Sequence, residues 1–354
     1  MGDDKQNLIE MLLGAAQQGA SDIHLSPGHY PTVRVDRRLV PLSGQKVLDK
    51  EGLDAYAQVV LGDKQELFSK QGSLTFAFDI EQRARFRVSI YKTIGGPSIS
   101  LRFIPGEIPS IEQLNLPAVV SIFTKLSQGL VISASPSGHG ATTTMAALVN
   151  VINRERAEKI ITIENPVEHI FSADKSIVDQ REVGRDAVNF SEAIKSALRQ
   201  DANVIAVGDL DTVEDIDSAL LASEAGRLVY AVARTGSAVE TLERMISRFP
   251  VERQDEVRNR FAGAIAGTIA QRLVSHLKGG LIPVVEIMVA TTAVRTHIRD
   301  NRLRQIDQAI ETGYDMGMMS LDRSLADRVR RKEISLENAE AYSNNPNSLK
   351  TLIA

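Results

Sequence analysis

Residues 129–150, GLVISASPSGHGATTTMAALVN, constrain this chain more than any other stretch. The apolar run at 130–134 predicts a strand, the small residues at 135–140 a tight loop, and the residues from 141 onward a helix. That order turns main-chain N–H groups and a helix N-terminus toward one point, the geometry that cradles a phosphate. The residue pattern for such a loop is G-x-x-x-x-G-K-[ST]. Gly138, Gly140 and Thr142 fit, but Ser135 stands at the first glycine and Ala141 at the lysine. A site shaped for an anion is therefore expected without its usual cation. The candidate phosphate ligands are Ser135, Pro136, Ser137, Gly138, His139, Gly140, Ala141, Thr142 and Thr143, with Thr142 the candidate holder of Mg2+.

From Ala118 onward strands and helices alternate. Strands are predicted at 129–134, 159–164, 202–208, 228–233 and 281–288. Helix starts are marked by Asn189 with Glu192, Asp211 with Glu214 and Ser237 with Glu240, each at capping-box spacing. Such alternation implies an α/β sheet covered on both faces, with ligands at the carboxyl ends of its strands. Ser135, Glu164 and Asp209 all fall at those ends. Beyond Asp255 the chain reads as mostly helical with one strand, and Gly263 and Gly267, four apart, read as small residues for close helix packing.

The first hundred residues have a different grammar. Leu8, Leu12, Leu13 and Ala16 recur at helical spacing up to Gly19, so the start reads as an amphipathic helix rather than a signal peptide. SLTFAFDI, ARFRVSIYK and PSISLRFIP alternate like strands, with Gly95, Gly96 and Pro97 as a turn. This mixed order predicts a small α+β domain over 1–104. The stretch 105–117, carrying Pro105, Pro109 and Pro117, reads as a linker to a second domain over 118–354.

Composition excludes several classes. The net charge of −4 gives no basic surplus for nucleic acid. The absence of cysteine removes disulfides and thiolate metal sites, and six histidines without cysteines argue against any metal centre of their own. No apolar run approaches the roughly 18 residues of a membrane-spanning helix. A soluble cytoplasmic protein is expected. The run of Arg328, Arg330, Arg331 and Lys332 reads as a solvated helix face or a docking surface.

Several motifs together resemble the PilT-type type IV pilus retraction ATPases of the secretion-ATPase superfamily. They are GASDIHL at 19–25, ARFRV at 84–88, LRFIP at 101–105, IENPVE at 163–168, QREVGRD at 180–186, FSEAIKSALRQD at 190–201, AVRTHIRD at 293–300 and GMMSLD at 317–322. The resemblance implies an N-terminal PAS-like domain followed by a RecA-like P-loop NTPase domain with a helical C-terminal part. It also implies ATP with Mg2+ as ligands, a homo- or hetero-hexamer, and Arg85, Arg87 and Arg102 as basic residues that reach the nucleotide. Partners would be a pilus inner-membrane platform protein or an active retraction ATPase, with the chain at the inner membrane only through that machinery.

Departures from the family pattern cluster at its chemistry. Besides Ala141, Asp209 stands where the Walker B strand ends in Glu, and Asp211 replaces an Arg just after it. Arg234 replaces the histidine of the His box, and Arg227 that of the preceding GHLV-like stretch. Phosphoryl transfer is catalysed mainly by positioning and charge neutralisation. Removing one such donor costs about 3–4 kcal/mol, and misplacing a catalytic acid by about 1 Å costs about 10²-fold. A hydrolysis-deficient, regulatory or auxiliary subunit is the first expectation, with Glu164 and Asp209 as its remaining catalytic candidates. The alternative is an atypical working ATPase that recruits Arg227, Arg234 or a neighbouring subunit's arginine in place of the lysine. His139, when protonated, is a further candidate for that charge; otherwise His139 is an exposed loop residue and the arginines are surface or subunit-interface groups.

Overall fold

The computed structural model describes residues 2–35, 38–80, 83–104 and 106–353. Pro105 of the LRFIP motif lies outside them. The chain divides into two compact units, Met1–Glu107 with Pro166–Ile170, and Ile108–Asn165 with Phe171–Ala354. No signal in the sequence announced that five residues following a strand of the second unit belong to the first.

In the first unit α1 (Gly2–Gln17) leads into β1 (Asp22–Leu25), β2 (Thr32–Val35) and β3 (Arg38–Pro41). Then come α2 (Lys50–Leu61), α3 (Gln65–Gln71), β4 (Ser73–Ile80), β5 (Ala84–Thr93) and β6 (Gly96–Ile104). The strands form one sheet in the order β3-β2-β1-β6-β5-β4, antiparallel throughout. Alternation decides its faces: Phe86, Val88 and Ile90 point inward with Leu101 and Ile23, against Leu8 and Leu12 of α1 and Leu53 of α2. This is the α+β domain of the PAS-like kind expected.

The second unit runs β7 (Gly129–Ala134), α4 (Ala141–Glu155), β8 (Lys159–Glu164), β9 (Ile177–Glu182), α5 (Phe190–Leu198) and β10 (Val204–Val207). It continues through α6 (Val213–Glu224), β11 (Leu228–Ala233), α7 (Ala238–Ser247), α8 (Val251–Ala264), β12 (Ile265–Ser275) and β13 (Leu281–Val289). The helices α9 (Thr292–Arg299), α10 (Gln305–Thr312), α11 (Leu321–Arg330), α12 (Leu336–Tyr342) and α13 (Pro346–Ile353) close it. Its sheet has the order β13-β12-β7-β11-β10-β8-β9, parallel except for β13. Side chains leave each central strand alternately for two cores. Leu130, Ile132, Ile161, Ile163, Ile205 and Val207 enter one, with Leu220, Leu242 and Phe261. Val131, Ile160, Val204 and Tyr230 enter the other, with Met145, Leu148 and Ile152 of α4. Burial on both faces is why these strands read as continuous apolar runs, and the unit is RecA-like as expected.

The structure corrects several expectations. The region past Asp255 holds a long strand, β12, that was expected to be helical, because its apolar run lacks a clean period. Gly267 therefore lies on a strand, not a helix: a Cβ there would stand 2.2 Å from the Phe123 ring, and the register with β7 shifts between Ile265 and Gly267. Strand β9 was missed because it is an edge strand with a mostly exposed, polar pattern. The cap of α6 is Thr212 rather than Asp211. The Thr212 side chain accepts from Asp215 N–H while the Asp215 carboxylate accepts from Thr212 N–H, one residue later than predicted. Asn189 and Ser237 do cap α5 and α7, but Glu240 accepts from Gly236 N–H instead of closing a box.

Candidate functional site

Parallel register brings the strand ends of the second unit together. Ala134 of β7 is level with Ala233 of β11, and Ser135 N–H continues the ladder onto Ala233 O at 3.0 Å. On the other side Ile163 is level with Val207, and Gly208 N–H donates to Ile163 O at 2.8 Å. Gly208 also permits this approach, since a Cβ there would lie 3.3 Å from both Cα and Cγ of Glu164. Ser135, Glu164, Asp209 and Arg234 thus share one edge, and Glu164 is 3% exposed.

The loop after β7 has the conformation its glycines allow. Gly138 and Gly140 adopt left-handed φ values of +78° and +91°, and α4 begins at Ala141 with no side-chain cap. An uncapped helix start with small flanking residues is compatible with an anion. Two loop amides are, however, already engaged: His139 N–H donates to Pro136 O at 3.1 Å, and Ala141 N–H donates to the Ser135 hydroxyl at 3.3 Å. The Ser135 hydroxyl exists only because a side chain stands where the pattern has glycine. Ala141 is buried among apolar groups, and Ser133 Oγ donates to its carbonyl at 2.9 Å. Ser137 and Gly138 are exposed, and Thr142 and Thr143 are half-buried.

Asp209 and Arg234, which the sequence places at the expected Walker B and His-box positions, bind each other at 2.8 Å. Burial raises the Asp209 pKa, the Arg234 guanidinium opposes that rise, and Asp211 adds to it. Asp211 is itself paired with Arg248 at 2.5 Å, and Arg244 donates to the Arg234 carbonyl at 2.9 Å. The strand-end carboxylates Asp209 and Asp211 therefore each hold an arginine.

Two candidate cations are corrected. Arg227 precedes β11 at its amino end, where its carbonyl accepts from Gly129 N–H. A six-residue strand at about 3.3 Å per residue separates it from Arg234, so within one chain it does not reach the site. His139 is half-buried rather than an exposed loop residue, and its Nδ1 accepts from Leu273 N–H at 2.9 Å. A main-chain N–H can only donate, so this bond holds the imidazole neutral with its proton on Nε2. The ring does not act as a cation while that bond stands.

In the first unit the three arginines each meet an acceptor. Arg85 donates to Asp79 at 2.7 Å and to Val167 O at 3.1 Å, Arg87 to Glu168 at 2.9 Å, and Arg102 to Asp22 at 2.8 Å. Other motif residues serve the fold. Arg295 of AVRTHIRD donates to the carbonyls of Ala262 and Gly263 at the end of α8, at 2.6 and 2.8 Å, and to Ala290 O at 3.1 Å. Asp322 of GMMSLD accepts from Ser343 Oγ and from the amides of Asn344 and Asn345. The sequence reading missed Gln271, which is 4% exposed and touches the loop from β12. Placing β12 as a strand was the signal that would have found it.

The family described as "Type II/IV secretion system protein" matches residues 5–295. Among similar proteins, the chain is 37% identical over 346 residues to the Type IV pilus retractation ATPase PilT of Pseudomonas aeruginosa, covering 96% of this chain and 99% of that one. It is 32% identical over 320 residues to the Twitching motility protein of Neisseria gonorrhoeae, covering 90% and 86%. The crystal structure of the pilus retraction motor PilT with bound ADP superposes with a TM-score of 0.85 at 33% identity, over 97% of this chain and 98% of that one. The Legionella pneumophila ATPase DotB shares the fold, with a TM-score of 0.81 at 23% identity over 94% of each chain. Strand order, loop geometry and these matches agree that the chain belongs to the type II/IV secretion system protein family, as a PilT-type member.

Proposed function

We propose that this chain is a PilT-like subunit of type IV pilus retraction machinery whose own site hydrolyses ATP far below a motor's rate, and that it serves that machinery as a regulatory or auxiliary subunit. The observation that carries the reading is the Asp209–Arg234 pair beside a loop without its lysine. A carboxylate held by a guanidinium is a poorer water-orienting group, and the cation that would stabilise the transferring phosphoryl group is replaced by a buried methyl. Support for the pilus role comes from relatives described as a retractation ATPase and a twitching motility protein, matched over 99% and 86% of their length.

The loop fits the shape of a nucleotide phosphate and not its charge. The main-chain N–H groups of Ser137, Gly138, Gly140, Thr142 and Thr143 would hold the phosphates, the Thr142 hydroxyl would hold Mg2+, and Glu164 and Asp209 would be the acids nearest the reacting end. Bound ATP would supply the phosphoryl group. Arg85, Arg87 and Arg102 are proposed nucleotide contacts only in the event that they leave their present acceptors. A ring of six, alone or mixed with an active retraction ATPase, docked on the pilus platform protein at the inner membrane, is the proposed setting. Among the described residues no helix is long and apolar enough to cross a membrane.

Titration of the full chain with a fluorescent ATP analogue and Mg2+, with steady-state ATPase on the same sample, tests this. Binding without turnover is the expected result. Turnover at a motor's rate would refute it and favour the second reading, in which Arg234, its side chain 62% exposed, leaves Asp209 to serve as the cation. Ala141→Lys separates the two: under the main reading activity stays low until Asp209→Glu is added.

A further inference from the structure

Strand β12 outlasts its neighbour. Its parallel register with β7 ends at Ala270 opposite Ala134, while its antiparallel pairing with β13 continues to Ser275 opposite Leu281. Residues 271–275 therefore extend past the end of β7. The loop that follows β7 folds against this overhang. Leu273 N–H donates to His139 Nδ1 at 2.9 Å, Gln271 Nε2 donates to His139 O at 2.8 Å, and Thr144 Oγ1 donates to Gln271 Oε1 at 2.7 Å. The fit is close, since a Cβ on Gly140 would stand 2.6 Å from Gln271 Nε2. The imidazole thus takes the place a strand acceptor would occupy, and both ends of the Gln271 amide are used on the loop and the first turn of α4.

We propose that the β12 overhang is the positioning element of the phosphate loop: His139 acts as a hydrogen-bond acceptor for Leu273, and Gln271 fixes the loop tip to α4, so that the loop keeps its form in the absence of a ligand. His139 and Gln271 are positioning residues, not ligands. Only the consequence for nucleotide affinity rests on the function proposed above.

The test is hydrogen exchange on the full chain, comparing His139→Ala, His139→Asn and Gln271→Met with the parent. Asn places an amide oxygen near the Nδ1 position and restores an acceptor without a titratable ring. One hydrogen bond of typical net strength corresponds to roughly fivefold in an opening equilibrium. Amides of 137–143 should therefore exchange roughly fivefold faster in His139→Ala and in Gln271→Met, and near the parent rate in His139→Asn, with β7 and β11 unchanged. Loop exchange in His139→Ala equal to the parent's would overturn the proposal, as would a His139→Asn protein as fast as the alanine variant. Should Gln271→Met fail to fold, the two His139 variants decide alone. Affinity for the fluorescent ATP analogue, read on the same proteins, should follow loop protection. If the parent binds no analogue while the exchange pattern holds, the nucleotide reading fails and the positioning of the loop stands.

Discussion

The Arg234 guanidinium sits 2.8 Å from the Asp209 carboxylate, joining the ends of two strands of the parallel sheet. The two side chains are thus matched: a half-buried carboxylate lies within reach of a guanidinium on the neighbouring strand end. Either group alone would be a half-buried carboxylate or a stray guanidinium, whereas together they neutralise each other. A double-mutant cycle with Asp209→Asn and Arg234→Gln should give a coupling energy of about 1 kcal/mol that shrinks with added salt. Coupling indistinguishable from zero at low salt would show the two positions to be independent.

Glu286 lies on β13 with its carboxylate accepting from Ala238 N–H at 2.7 Å, beneath the start of α7. Burial pushes its pKa from 4.5 up to about 7, the Ala238 hydrogen bond and Arg272 oppose this, and Asp307 and Asp322 add to it. The native state then holds a proton that the unfolded chain releases earlier. Stability is accordingly full below about pH 4.5 and falls as pH rises toward 7, by up to about 3 kcal/mol. Glu286→Gln keeps an acceptor for Ala238 and removes the titration. Urea denaturation between about pH 5 and pH 8 should show the fall in the parent and a much flatter profile in the variant.

Gly267→Ala should be costly although alanine is small. The added methyl meets the Phe123 ring at 2.2 Å and the Met288 carbonyl at 2.7 Å. Phe123 itself is held, since its carbonyl accepts from the buried Tyr230 hydroxyl at 2.8 Å. Overpacking of this kind costs about 1–3 kcal/mol, readable as a lower urea midpoint with unchanged slope. Gly263→Ala, with nothing within 4 Å of the added atom, should leave the midpoint where it is or raise it.

Arg295 is expected to act through the fold rather than through a ligand. Its three carbonyl acceptors include the last turn of α8, where free C=O groups need donors. Arg295→Met should cost about 2 kcal/mol, and Arg295→Lys should recover only part of it because an ammonium lacks the planar fork. Full recovery by lysine would mean that charge alone matters there.

What the sequence determined by itself was the local order. Strands buried on both faces, such as Gly129–Ala134 and Leu228–Ala233, are uninterrupted apolar runs, and the glycines of the loop between β7 and α4 name its left-handed positions. That an alanine stands at the lysine position of the phosphate-loop pattern is likewise legible in a single letter, Ala141. Family motifs extended this to the whole architecture. Tertiary structure decided what those residues touch. Thr144 meets Gln271 across 127 positions, and Arg234 finds Asp209 across 25. Neither separation has a periodic trace, because a parallel sheet sets neighbours by strand order, and order comes from crossovers whose helices pack as units. The same reason hid β12, whose edge beyond β7 is completed by a histidine ring and a glutamine amide that no pattern of hydrophobicity records.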